Sequence, residues 1–271
     1  MQSPQSVSDM WCIDIPTGLD LPTDRLLEPR RAKDGTLRCR VRRTREKALL
    51  ELSIEEGNVF VLSACRQGKD WLISEQPGGS TKNYIARLRT GKDRSFTCVR
   101  CRDERGSESP ELLHVRHSTE QLSDELPELN TMQLCLTRPQ QLSSGLVALG
   151  VDGGDDDGGP STPISSPSGV LSSQLNRVYG HGARERCRPE FAILESRRPK
   201  WNPRTETYEL PFAGRANWAS ARNFQLIERD GQPDRAVLLY GKLEEDEFAL
   251  DFSHPLSMLH ALAIVLTTWG W

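Results

Sequence analysis

The chain has 271 residues, 36% of them hydrophobic and 27% charged, with a formal net charge of −3. That length supports one sizeable core or two small ones, and a near-neutral total singles out no partner by charge alone. No apolar run reaches the ~18 residues a membrane-crossing helix needs. The opening Met1–Pro16 lacks the basic and apolar regions of a secretory signal. The seven cysteines are odd in number and scattered, which fits reduced thiols in a cytosolic or nuclear protein. Charge is unevenly spread. Arg30–Lys47 and Arg87–Arg105 are basic, whereas Glu120–Glu128, Asp152–Asp157 and Glu244–Glu247 are acidic. Separate patches of this kind point to a polyanionic surface as partner, a membrane headgroup or a nucleic acid.

Residues 1–28 are proline-rich and aperiodic and read as a flexible lead-in. Thr36–Arg42 then alternates apolar and basic side chains, the period-two signature of a half-buried strand. Ala48–Ile54 and Val59–Cys65 flank Glu55-Glu-Gly-Asn and predict a hairpin. Trp71–Ser74, Asn83–Arg89 and Ser95–Cys101 follow as strands, the last two joined through Gly91-Lys-Asp.

From about 138 to 188 the chain is poor in hydrophobes and rich in Gly, Pro, Ser and Asp. Such a segment cannot bury enough surface to offset its ordering entropy, so a disordered insertion is expected. Its acidic glycine run lacks the ligand spacing of a calcium loop. Strands resume at Phe191–Glu195, Thr207–Phe212, Asn223–Glu228, Ala236–Gly241 and Glu247–Phe252. The last element, Leu256–Leu266, is apolar nearly all round, which demands burial on every face. Ser253 is positioned to cap it and Pro255 suits a first turn. Many strands followed by one such helix fit a barrel that uses the helix as its core.

Two segments carry a family resemblance. Pro199-Lys-Trp-Asn-Pro-Arg-Thr-Glu-Thr-Tyr-Glu-Leu-Pro-Phe-Ala-Gly-Arg-Ala with Ala219-Ser-Ala-Arg-Asn-Phe-Gln-Leu, and Leu238–Ile264, resemble the signature and closing block of the tubby-like family. Phe60-Val-Leu-Ser-Ala, Trp71-Leu-Ile-Ser and Tyr84-Ile-Ala-Arg-Leu-Arg-Thr resemble its earlier strands in the right order. The resemblance implies a mostly β fold. It would be a closed antiparallel barrel of about twelve strands around a buried C-terminal hydrophobic helix, spanning residues 29–271 and interrupted by the 138–188 insertion.

The resemblance also implies a function: a phosphoinositide-binding peripheral membrane adaptor that links membranes to protein trafficking or signalling. Expected partners are phosphatidylinositol bisphosphate and membrane-receptor or trafficking-complex proteins, for a monomeric protein at the cytoplasmic face of the plasma or ciliary membrane, or in the nucleus. The family's lipid-binding Lys and Arg correspond to Arg87 and Arg89, with Lys69, Lys82 and Lys92 as supplementary cations. Strand residues two apart share a face, and adjacent guanidiniums can grip a polyphosphate. Asp70 stands where the family has a headgroup-binding Asn, and Ser109 where it has a basic residue. Asp70 is therefore expected to repel phosphate.

The alternative reading is a nucleic-acid-binding transcription regulator using the Arg38–Arg45 stripe, although the interleaved aromatics that stack bases are absent there. Cys98-x2-Cys101 with His114-x2-His117 approaches zinc-finger spacing, but the His pair is one residue too close. His260 reads as a core or capping residue. With no nucleophile elbow, phosphate loop or dinucleotide fingerprint, neither an enzyme, a metal nor a cofactor is expected.

Overall fold

The computed structural model describes residues 26–44, 48–101, 108–138, 169–180 and 188–269. The N-terminal lead-in before 26 lies outside them. The described strands are β1 (Leu37–Thr44), β2 (Leu49–Ile54), β3 (Val59–Gln67), β4 (Asp70–Ser74), β5 (Ala86–Thr90), β6 (Ser95–Cys101), β7 (Glu108–Glu120), β8 (Leu129–Thr137), β9 (Phe191–Ser196), β10 (Lys200–Asn202), β11 (Thr207–Glu209), β12 (Phe224–Glu228), β13 (Ala236–Glu244) and β14 (Glu247–Phe252). Twelve of them close into one antiparallel barrel in the order β1-β14-β13-β12-β9-β8-β7-β6-β5-β4-β3-β2, and β10 and β11 form a small separate hairpin.

The alternation seen in sequence becomes an inside and an outside. On β1, Leu37, Cys39 and Val41 are buried inward while Arg38, Arg40 and Arg42 line the outer face. On β5, Ala86 and Leu88 point in and Arg87 and Arg89 point out. Closure leaves the barrel wall no unpaired edge.

The barrel is filled by α2 (Met258–Thr267). Every residue from Leu259 to Thr267 is buried, and Leu259 through Leu266 are fully so except for His260. Each enclosed Leu, Ile or Val contributes about 1.5–3 kcal/mol. The helix cap is Ser257, not the expected Ser253: Ser257 Oγ accepts from His260 N at 3.1 Å, and His260 Nδ1 accepts from Ser257 N at 3.3 Å. The helix begins later because Leu256 N bonds back to Ser253 O in a turn. His260 is thus the core and capping residue the sequence suggested. At the other end Thr267 and Thr268 donate their hydroxyls to Ile264 O and Val265 O, both at 2.7 Å. Thr267 Oγ1 is then left to accept from His117 Nε2 at 2.8 Å, which places the His117 proton on Nε2.

Three described strands, β7, β8 and β10, were not expected from the sequence. β7 carries few large hydrophobes, whereas β8 does alternate, with Met132, Leu134 and Leu136 in the barrel core and Cys135 covered by a helix on the outer wall. That helix, α1 (Val170–Tyr179), falls inside the segment expected to be disordered. Leu171, Leu175 and Val178 form a second small core with Cys135, Phe191 and Ile193 on the outer wall. Glu111 accepts from Gly169 N and Leu171 N at 2.8 and 3.2 Å, holding the helix start. A short amphipathic helix of 10 residues in a Gly- and Ser-rich stretch suffices because the wall supplies its partner. Residues 139–168 and 181–187 of the expected insertion lie outside the described residues.

Burial drives both His117 and His260 down to a pKa of about 4. Unfolded, each titrates near ~6.5, so between these values the unfolded chain binds more protons and stability falls as pH falls. Each histidine then costs roughly 1.4 kcal/mol per pH unit across that window. The melting temperature should fall from pH 7 to pH 5, and a His117→Gln/His260→Gln variant should show a shallower fall in the same calorimetric series.

Candidate functional site

The site the sequence singled out lies at one mouth of the barrel. Antiparallel order gathers there the β3–β4 and β5–β6 turns, the ends of β1 and β13, the start of β12 and the C-terminal end of α2. Pairing of Trp71 with Leu88 and of Leu72 with Arg87 sets Asp70 on the same outer face as Arg87 and Arg89.

Asp70 does not stand apart as a bare repulsive charge. Its Oδ2 accepts from Arg87 Nε at 3.0 Å and Arg87 Nη2 at 2.7 Å, and its Oδ1 accepts from Thr90 N at 2.9 Å. Asp70 is buried, whereas the Arg87 side chain keeps 39% of its surface exposed. Asp70 therefore holds one edge of Arg87 and leaves Nη1 toward solvent. The supposed repulsive group is a clamp that fixes one of the two cations and cancels its charge.

Arg89 sits half-buried on the same face, opposite Thr97 of β6. Thr90 Oγ1 donates to Lys69 O at 2.5 Å, so the β3–β4 turn is tied to the end of β5 and brings Lys69 alongside. Lys92 is exposed on the next turn. That turn is tight: Gly91 N reaches Ser95 O at 2.8 Å, Ser95 N reaches Lys92 O at 3.0 Å, and Asp93 and Arg94 take positive φ of 53° and 54°. A Cβ on Gly91 would lie 2.5 Å from Ser95 Oγ and 3.3 Å from Ser95 O. The turn geometry thus requires glycine at 91 to present Lys92. Lys82 is exposed in the β4–β5 connection, which is anchored on Cys65, two strands from Arg87 in the row Cys65–Leu72–Arg87. Its loop crosses the outside of β2 and β3, with Gly78 N on Glu51 Oε1 and Cys65 Sγ on Ser80 O. Among the described residues no bond joins Lys82 to Arg87 or Arg89. Ser109 lies on β7, with its backbone alone described.

The acidic segments noted in sequence also reach this mouth. The β7–β8 and β13–β14 connections, Glu120–Glu128 and Glu244–Glu247, bracket the basic arc that runs from the end of β1 to β6. The β1 stripe behaves differently. Arg40 pairs with Glu55 at 3.2 Å and Glu247 at 3.4 Å, Arg42 with Glu247 at 3.6 Å, and Arg215 locks onto Glu55 at 2.9 Å and Asp251 at 2.6 Å. Two of the stripe's arginines, Arg40 and Arg42, are thus paired with carboxylates.

The Cys and His of the zinc-like spacing do not converge. His114 and His117 are three apart on β7 and face opposite sides. His114 bonds Thr97 Oγ1 outside at 2.9 Å, and His117 bonds Thr267 inside. Cys98 is fully buried in the barrel, where burial pushes its thiol up to about 12. Among the described residues no group of His, Cys, Asp and Glu could hold a metal ion.

The sequence placed Arg43 only within the Arg38–Arg45 stripe and did not foresee that it converges with Arg66, Arg222 and Trp269 at the same mouth. Trp269 lies between two guanidiniums, with Arg43 at 4.5 Å and Arg222 at 4.0 Å from its ring centre. Their separation in sequence hides them. The one available signal was that Arg222 fills the basic position of the Ala219-Ser-Ala-Arg-Asn-Phe-Gln segment.

Residues 27–270 match the family model described as the Tub family. The chain is 27% identical over 272 residues to human Tubby-related protein 1, covering 93% of this chain and 46% of that protein. It is 26% identical over 249 residues to human Tubby-related protein 3, covering 86% of this chain and 53% of that protein. A 76-residue stretch is 41% identical to Tubby protein homolog 1 of Caenorhabditis elegans, 28% of this chain and 18% of that protein. The chain thus spans about half the length of the human relatives, and less of the nematode one.

The Asp70 clamp has a stability consequence. Arg87→Ala strands a buried carboxylate and should cost about 1–2 kcal/mol, whereas Asp70→Asn/Arg87→Ala together should cost less than the sum of the single changes. Urea denaturation of the four proteins measures the coupling.

Proposed function

The chain belongs to the Tub family, and we propose that it is a peripheral membrane adaptor whose barrel mouth docks on phosphoinositide-bearing surfaces. The observation that carries this reading is the shared face of Arg87 and Arg89 with Lys69 and Lys92 on the two adjoining turns. Four cations on one strand face and its rim suit a polyphosphate headgroup, and each basic residue near an anionic leaflet contributes about 1 kcal/mol. Because Asp70 occupies one edge of Arg87, Arg89, Lys69 and Lys92 carry most of the attraction, and Arg87 contributes through Nη1. No described helix is long and apolar enough to cross a membrane. Protein cargo would bind elsewhere on the barrel, at the cytoplasmic face of the plasma or ciliary membrane.

The nucleic-acid reading draws its charge from the β1 stripe. The ion pairs of Arg40 with Glu55 and Glu247 and of Arg42 with Glu247 draw on part of that charge, and the stripe lacks the interleaved aromatics that stack bases, so the headgroup reading is favoured.

Co-sedimentation with vesicles tests the proposal. Wild type should bind vesicles containing phosphatidylinositol bisphosphate and not neutral vesicles. Arg89→Ala/Lys92→Ala should weaken binding about tenfold or more, at ~1 kcal/mol per charge. Asp70→Asn, which frees Arg87, should strengthen it by about fivefold on the same scale. Binding with no headgroup dependence, or none lost in the double variant, would contradict the reading.

A further inference from the structure

We propose that the barrel mouth around Trp269 is a second anion site, taking a small phosphate-bearing ligand through Arg222 with support from Arg43, and separate from the β5 face. Arg43 leaves the end of β1, Arg66 the end of β3, and Arg222 the turn before β12, yet all three meet at the last described residue of the chain. Arg43 and Arg222 flank the Trp269 ring, and Arg66 Nη1 bonds Trp269 O at 3.4 Å. Several other arginines of this barrel, Arg40, Arg87, Arg138 and Arg215, are matched by carboxylates. Among the described residues, Arg43, Arg66 and Arg222 have no such partner. Burial lowers the Arg222 pKa and the Arg43 charge adds to that effect, so the cluster holds like charges at a cost that an anion would relieve.

Hydrogen bonding points the same way. Arg222 Nε is buried and lacks an acceptor among the described residues, whereas the Trp269 indole N–H is directed at the buried Tyr240 hydroxyl. A guanidinium N–H is an obligate donor, and buried donors are nearly always paired in folded proteins. An orphaned guanidinium donor within a cation cluster calls for an acceptor-rich ligand.

Space is present beside them. A recess of about 260 Å³ opens against Arg222, with Asn130, Ser196 and Thr268 in its walls and no Asp or Glu among its lining residues. Ser196 Oγ accepts from Met132 N at 2.8 Å and keeps its own proton to donate. Asn130 offers an exposed amide. A guanidinium fork with neutral donors around it matches the geometry of a phosphate monoester. The recess is sized for one phosphate with a small polyol and not for a polymer.

The test reads the Trp269 indole N–H in a proton–nitrogen correlation spectrum, assigned with Trp269→Phe. Inorganic phosphate, titrated at constant ionic strength, should shift that resonance saturably. The shift should vanish in Arg222→Gln and persist in Arg89→Ala/Lys92→Ala, which removes the proposed membrane contacts and so keeps the two sites distinguishable. Arg43→Gln, expected to weaken the response several-fold, serves if Arg222→Gln does not fold. Titration with a soluble inositol phosphate and with phosphoinositide vesicles then separates a free ligand from a headgroup. The source is whichever saturates the shift at the lower phosphate concentration. A wild-type resonance that does not move, or one that moves equally in Arg222→Gln, overturns the proposal.

Discussion

A helix with no polar face must be enclosed on every side, and this one requirement organises the molecule. Leu259 to Thr267 has nowhere to go in water, so the sheet closes around it, and closure in turn removes the edges that an open sheet of this size would expose. The polar groups that the helix cannot avoid are handled internally. Ser257 and His260 cap each other at one end, and Thr267, Thr268 and His117 close the other. Both histidines are held neutral inside the barrel as a result.

Enclosure also fixes where function can reside. The helix ends at the mouth where the β3–β4 and β5–β6 turns project, and Trp269 plugs that mouth beneath Arg43 and Arg222. The Arg87–Arg89 face and the Trp269 cluster therefore share one end of the barrel without sharing residues. The acidic connections between β7 and β8 and between β13 and β14 limit the arc on both sides. An anionic surface approaching this end would meet the β3–β6 sector first, which gives docking a preferred tilt from electrostatics alone.

What the sequence revealed follows from which interactions are local. Strands such as β1 and β5 announce themselves because alternation is written into consecutive residues, and the apolar helix because its burial needs no partner to be recognised. β7 escaped notice because His117, Ser118 and Thr119 interrupt its pattern and its inward histidine reads as polar. α1 escaped because its second core is supplied by Cys135, Phe191 and Ile193 on strands flanking the insertion. At the site, Arg87 and Arg89 were legible through the family pattern, but the Asp70 clamp was not. It spans 17 positions and depends on β4–β5 register. That register places the Asp70 carboxylate within hydrogen-bond reach of Arg87. The Arg43, Arg66, Arg222 and Trp269 cluster is still less local, since four distant segments meet only when the barrel closes.

Hydrogen–deuterium exchange of the full chain on phosphatidylinositol bisphosphate vesicles, against the same chain in solution, tests most directly that this mouth meets the membrane. The account predicts new protection in the turns at Gln67–Asp70 and Gly91–Ser95 and none across α1 or the β10–β11 hairpin. Protection centred on α1, on that hairpin or on the opposite mouth near Leu256 would contradict it.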